Sequence, residues 1–232
     1  MMEIFVFVFS LCVGSFINVV AYSIPRKLDF ISRRSQCDIC HVQLSMPDMI
    51  PLISYILLDG KCRYCHSHIS IRYFIVEMMS GIVGVLFYWK FGLCFFIFVF
   101  FSILMLLSLI DLDSMIVYDE LLVLLFCVEM FLISMFPVPF LERIVSFIFT
   151  GILFLCFNNF IIESFGGGDI KLFMVLGFLF GVKGIVLIFT YSVLSSCFVC
   201  MFLLVFKKLK FDSYIPFVPF ICLGTLIYIL KI

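Results

Sequence analysis

The chain has 232 residues, 65% of them hydrophobic and 13% charged, with a mean hydropathy of +1.31. A soluble domain is about half apolar and about a quarter charged, so a water-soluble globular enzyme and a disordered chain are both excluded. The 15 basic and 15 acidic residues cancel and leave no basic field to hold nucleic acid. A multi-pass membrane protein remains: at ~20 apolar residues per span, the length allows roughly eight helices and one modest insert.

In chain order the apolar runs cover 4–22, 74–89, 93–110, 121–136, 144–162, 172–182, 185–206 and 215–230. Helices are expected for all eight, because an isolated strand cannot satisfy its backbone in lipid. The runs lack the alternation of a β-barrel. Breaks at Gly92, Pro137, Pro139 and the Lys207–Lys210 cluster support the boundaries, and Gly181 with Gly184 separates the short sixth run from the seventh. The expected fold is an all-α polytopic membrane protein: a first helix at 1–22, a polar insert at 23–73 and a core at 74–232.

Basic residues set the orientation. With the N-terminus outside, Arg26, Lys27, Arg33, Arg34, Lys61, Arg63, Arg72, Lys171, Lys207, Lys208 and Lys210 are cytoplasmic, while Lys90, Arg143, Lys183 and Lys231 are not. The first run is an uncleaved anchor rather than a signal peptide. Glu3 precedes it and Arg26 and Lys27 follow, the reverse of a signal peptide's charge order.

Eleven cysteines occur. Cys12, Cys94, Cys127, Cys156, Cys197, Cys200 and Cys222 fall in apolar runs and read as small packing residues. The insert holds the other four, as Cys37-Asp-Ile-Cys40 and Cys62-Arg-Tyr-Cys65. Two C-x2-C knuckles separated by about twenty residues suit one tetrahedral zinc. A reducing cytoplasm disfavours disulfides there, and a metal is the usual staple for so small a module. Four thiolates leave no open position, so the zinc is read as structural. His41 and His66 adjoin the cysteines as possible substitute ligands but read, with His68, as surface neighbours.

Charges at the ends of spans are costly and tend to be functional. Asp111 closes the third run in Leu109-Ile-Asp-Leu-Asp113, and Asp169 opens the sixth in Gly166-Gly-Gly-Asp-Ile-Lys-Leu172. An even number of crossings separates them, so both face one side. Two carboxylates in proximity share a proton; one can activate water while the other donates to a substrate carbonyl. That is aspartic-protease chemistry, set against a plain reading of Asp169 as a helix cap. Asp113, Asp119 and Glu120 read as solvated charges able to attract a basic peptide. Glu77, Glu129 and Asn18, inside apolar runs, read as interior hydrogen-bonding groups or as members of a pocket. A proton- or ion-coupled transporter is the competing class, which predicts deep acids and broken helices near the midplane.

These motifs together resemble the bacterial type IV prepilin peptidases, membrane aspartic proteases of the GxGD type. The resemblance rests on Gly14-Ser-Phe-Ile-Asn-Val-Val-Ala-Tyr-Ser-Ile-Pro25, the two cysteine pairs, Pro51-Leu-Ile-Ser-Tyr55, Ile69-Ser-Ile-Arg-Tyr73 with Glu77, Ile110-Asp-Leu-Asp113 with Asp119, and the Gly166–Leu172 segment. Val117-Tyr118-Asp119 stands where the family usually has Ile-Pro-Asp. The resemblance implies removal of a short basic leader from prepilins or pseudopilins at the cytoplasmic face of the bacterial inner membrane. It also implies N-methylation of the new terminus by S-adenosylmethionine. Asp111 and Asp169 carry over as the catalytic pair and Cys37, Cys40, Cys62 and Cys65 as the zinc site. Gly166, Gly168, Asp119, Lys171 and Glu77 carry over as supporting residues.

Overall fold

The structure, a computed structural model, describes residues 1–29, 35–37, 39–160, 166–206 and 215–232. Arg33, Arg34, Asp38, Ile162, Lys207, Lys208 and Lys210, on which parts of the sequence reading rest, lie outside the described residues. Among the described residues each of the eight apolar runs carries a helix, and no strand occurs. The chain is an all-α, multi-pass membrane protein. It forms two compact units, Met1–Cys94 and Phe95–Ile232.

In the first unit, α1 (Met2–Ser23) and α3 (Ile71–Phe91) form an antiparallel pair. The Trp89 indole N–H donates to Glu3 Oε1 at 2.8 Å at one end, Ser80 Oγ donates to the Ser10 carbonyl at 2.7 Å midway, and Asn18 Nδ2 reaches the Tyr73 carbonyl at 3.4 Å at the other. These ties hold α3 against α1 within the first unit. Between the two helices lie the thiol module and a short helix, α2 (Ile53–Leu57).

The second unit contains α4 (Phe95–Ser114), α5 (Asp119–Leu132), α6 (Phe140–Phe160), α7 (Gly167–Val205) and α8 (Val218–Lys231). α7 is not one rod. Its rings at Phe173 and Phe189 lie 5.7 Å apart, whereas 16 residues of straight helix would separate them by ~24 Å. The chain reverses at Gly181, where φ 71° and ψ 179° are non-helical. That left-handed φ suits glycine, which has no Cβ. α7 therefore supplies both the sixth and seventh expected helices. Phe180 packs at the reversal against Phe100, Phe136 and Tyr228.

A helix end leaves carbonyls without intrahelical donors, and lipid offers none. At this reversal Arg143 supplies them. Its Nη1 donates to Phe178 and Leu179 at 3.3 and 2.7 Å, its Nη2 to Ile133 and Phe136 at 3.0 and 2.7 Å, and its Nε to Val138 at 3.2 Å. Arg143 is 1% exposed, so it is not the loop charge that the orientation argument makes of it.

Five helices, α1, α3, α4, α6 and α7, are long and apolar enough to cross a membrane. α5 and α8 have 14 residues each and rise ~21 Å, short of a hydrocarbon core of ~30 Å. About eight helices is thus right as a count of apolar helices among the described residues, while three of them, α5, α8 and the 14-residue arm of α7 before Gly181, are too short to span unaided.

Candidate active site and metal centre

The candidate metal centre is built from two matching turns in the first unit. Cys37 N–H donates to the Val42 carbonyl and Cys62 N–H to the Ser67 carbonyl, while His41 N–H and His66 N–H return to the Cys37 and Cys62 carbonyls. The two histidines occupy the left-handed positions of these turns, with φ 56° and 57°. They close the knuckles, and the cluster itself is made of sulfur. The Sγ atoms of Cys37, Cys40, Cys62 and Cys65 all lie within 4.8 Å of one another.

Sulfurs around a zinc at Zn–S ~2.3 Å stand ~3.8 Å apart in a tetrahedron, and Cys37 and Cys65 are 3.8 Å apart. That is far beyond a disulfide bond of ~2.05 Å. The thiols also conflict electrostatically. The backbone N–H of Cys40, and then that of Ile39, pull Cys37 down to about 6, and the Ser67 hydroxyl lowers Cys65. Cys40 moves up to about 11: the Val42 N–H favours its thiolate, but desolvation and the neighbouring thiols outweigh it. A divalent cation removes this conflict, because coordination favours the thiolate at every sulfur. The four residues therefore fit a metal ion. Arg63, paired with Asp48 at 2.6 Å, ties the second knuckle to the turn at Met46–Met49.

The acid pair lies at one end of the second unit. Asp111 sits in the last turn of α4, 5% exposed, and its Oδ2 accepts the Val218 N–H at 3.0 Å. Val218 opens α8, with Pro219 fixing the helix start, so a helix N-terminus with its partial positive charge faces this carboxylate. Asp169 lies in the first turn of α7, half-buried, and its carboxylate takes the backbone N–H of Gly166. The N-cap position itself is held by Gly166, and Asp169 is the third residue of the helix. Asp111 and Asp169 are close enough for their charges to interact.

Two further contacts bind the acid-bearing segments together. Lys171 Nζ donates to both oxygens of Asp119, at 2.7 and 2.9 Å, joining the starts of α5 and α7. A Cβ on Gly168 would stand 2.6 Å from Val117 Cβ, so only glycine lets the α4–α5 connection pack this closely. Gly166 lies against the Asp169 carboxylate, and Gly167 faces open space. Asp119 is therefore exposed yet paired. Val218 is the site residue that sequence reasoning missed, although the Pro219 helix-start signal was present.

The interior acids separate. Glu77, 7% exposed, accepts the Leu52 N–H at 2.9 Å. Glu129 is fully buried without a hydrogen-bond partner among the described residues, and its charge is felt by Arg143. Among the described residues the four thiols form the only cluster able to hold a metal ion.

A helical membrane bundle carrying two acids at one end has the makings of a membrane peptidase, and the comparisons with known proteins agree with that class. The Bacterial Peptidase A24 N-terminal domain matches residues 8–91, and the Type IV leader peptidase family matches 98–205. Among curated proteins, the prepilin leader peptidase/N-methyltransferase of Vibrio cholerae is 33% identical over 96% of this chain and 94% of its own. Its counterpart in Bacillus subtilis is 30% identical over 95% and 91%, and that of Legionella pneumophila 29% over 97% and 90%. No solved structure matches the chain significantly. The chain belongs to the Type IV leader peptidase family, and it is an enzyme of the peptidase class.

Proposed function

We propose that the protein removes the short basic leader of type IV prepilins or pseudopilins, with Asp111 and Asp169 as its catalytic pair. The observation that carries this reading is that the two aspartates, each on its own helix end in the second unit, are close enough for their charges to interact. In the reaction one carboxylate takes a proton from water as that water attacks the scissile carbonyl. The other, protonated, donates to the carbonyl oxygen. Collapse of the tetrahedral intermediate breaks the C–N bond, and the leaving amine takes up a proton. The Val218 N–H orients Asp111 for this work, and the Lys171–Asp119 pair fixes the two helix starts. The transport reading looks for a broken helix that coordinates an ion. The break at Gly181 exists, but Arg143 consumes its freed carbonyls.

The proposal extends to N-methylation of the new terminus, the second activity in the relatives' name. S-adenosylmethionine would supply the methyl group to the terminal amine. It also extends to an inner-membrane location with the N-terminus outside and the acid pair at the cytoplasmic face, supported by the placement of basic residues. Incubating detergent-purified protein with a prepilin should yield a shortened product, and adding S-adenosylmethionine should increase that product's mass by one methyl group. An unchanged prepilin after prolonged incubation would remove the peptidase reading.

The metal is proposed to be a structural zinc held by Cys37, Cys40, Cys62 and Cys65. Replacing Cys37 and Cys62 together by Ser should reduce zinc, measured by elemental analysis of purified protein, from one atom per chain to a trace. It should also make the module sensitive to limited proteolysis. Undiminished zinc in that variant would show that the metal lies elsewhere.

A further inference from the structure

The buried Glu77 has a consequence for the neighbouring short helix. Leu52, at the start of α2, gives its N–H to Glu77, and the Tyr55 ring packs on Phe74 at 5.4 Å while its hydroxyl donates to the Ile69 carbonyl at 3.4 Å. One face of α2 is thus fixed on the first two turns of α3. As a 21-residue helix, α3 rises ~32 Å, which matches the hydrocarbon thickness of ~30 Å, so its ends mark the membrane boundaries. Glu77 lies six residues beyond Ile71, about 9 Å in from that boundary, and α2 starts at the same level.

The opposite face of α2 is apolar and open. Ile53, Ile56 and Leu57 are 54%, 60% and 77% exposed, and Ile50 and Met46 extend the patch. The neighbouring α3 also has an exposed apolar side, at Ile71, Ile75, Met79 and Ile82. Residues 50–58 carry no charge; Asp48, paired with Arg63, and Asp59 are the nearest charges in sequence, and Lys61, Arg63 and Arg72 follow. Apolar surface this concentrated is a liability in water, whereas basic residues beside an apolar helix face suit the boundary between headgroups and acyl chains. A helix start at that depth needs a partner for its free N–H groups, and Glu77 supplies one.

We propose that α2, with residues 50–58, is a membrane-interface element whose Ile53–Ile56–Leu57 face contacts phospholipid. Among the described residues of the insert, the thiol module is then the part that faces water.

Trp89 is the single tryptophan, so a tryptophan placed on α2 in a Trp89→Phe background reports its own surroundings. Leu57→Trp and, separately, Ile53→Trp would be reconstituted into phospholipid vesicles, with metal content checked on each sample. Lipids brominated high on the acyl chain should quench the emission, because an interfacial helix face sits at the headgroup–acyl boundary, and aqueous iodide should leave it almost unchanged. Quenching by iodide with brominated lipids silent would put the face in water and overturn the proposal. Silence to both quenchers would mean that protein covers the face, and would overturn it equally. If one variant fails to accumulate in membranes, the other carries the test.

Discussion

Asp111→Asn and Asp169→Asn should each slow prepilin cleavage by roughly 10²–10⁴-fold, the range that general acid–base groups contribute. Asparagine keeps the size and the hydrogen-bonding oxygen of aspartate, so in the first variant the amide oxygen could still accept the Val218 N–H that Asp111 accepts at 3.0 Å. What an amide cannot do is exchange a proton with water or with the substrate carbonyl. The loss should therefore fall on kcat with KM little changed, and both variants should reach the membrane at normal abundance. The measurement is a time course of leader removal by purified protein, with prepilin above and below KM. A variant that matures prepilin at the normal rate would exclude that residue from the pair. A loss confined to KM would make it a binding residue instead.

Arg143→Met should be the most destabilising single change away from the acid pair. Five donated hydrogen bonds would disappear, from carbonyls at 133, 136, 138, 178 and 179. Stripping one partner from a buried charged network costs about 3–5 kcal/mol. Glu129 would also lose the charge it feels, which gives the prediction a second edge. Adding Glu129→Gln to Arg143→Met should restore part of the loss, and the non-additivity of that double-mutant cycle measures the coupling. The readout is the midpoint of thermal aggregation in detergent for the four proteins. Additive effects would mean that Glu129 and Arg143 do not interact.

Much of this molecule is legible in its sequence, for identifiable reasons. Long apolar runs survive any tertiary context, because lipid enforces helix wherever they cross, so all eight appear. The cysteine spacing survives because a C-x2-C turn is local: four residues determine where its thiols point. Gly181 marks a helix boundary in the sequence because few other residues tolerate its backbone. The illegible features depend on partners distant along the chain. Arg143 reads as a loop charge, since nothing nearby announces carbonyls 35 and 36 residues away. The Val218 N–H on Asp111 spans 107 residues. Glu77 reads only as an interior acid, because its partner, a backbone N–H at Leu52, has no sequence signature.

The reversal at Gly181 bears on how the orientation of this chain can be mapped. Reporter fusions and epitope tags need a loop that accepts an insertion without disturbing its flanks. Here the turn is made by one glycine, and the helix end just before it is clamped through Phe178 and Leu179. A Cβ on Gly184 would already stand 2.6 Å from Phe180 Cβ. A tag placed between 180 and 184 would destroy the bend it was meant to locate, and the resulting silence would be misread as a buried segment.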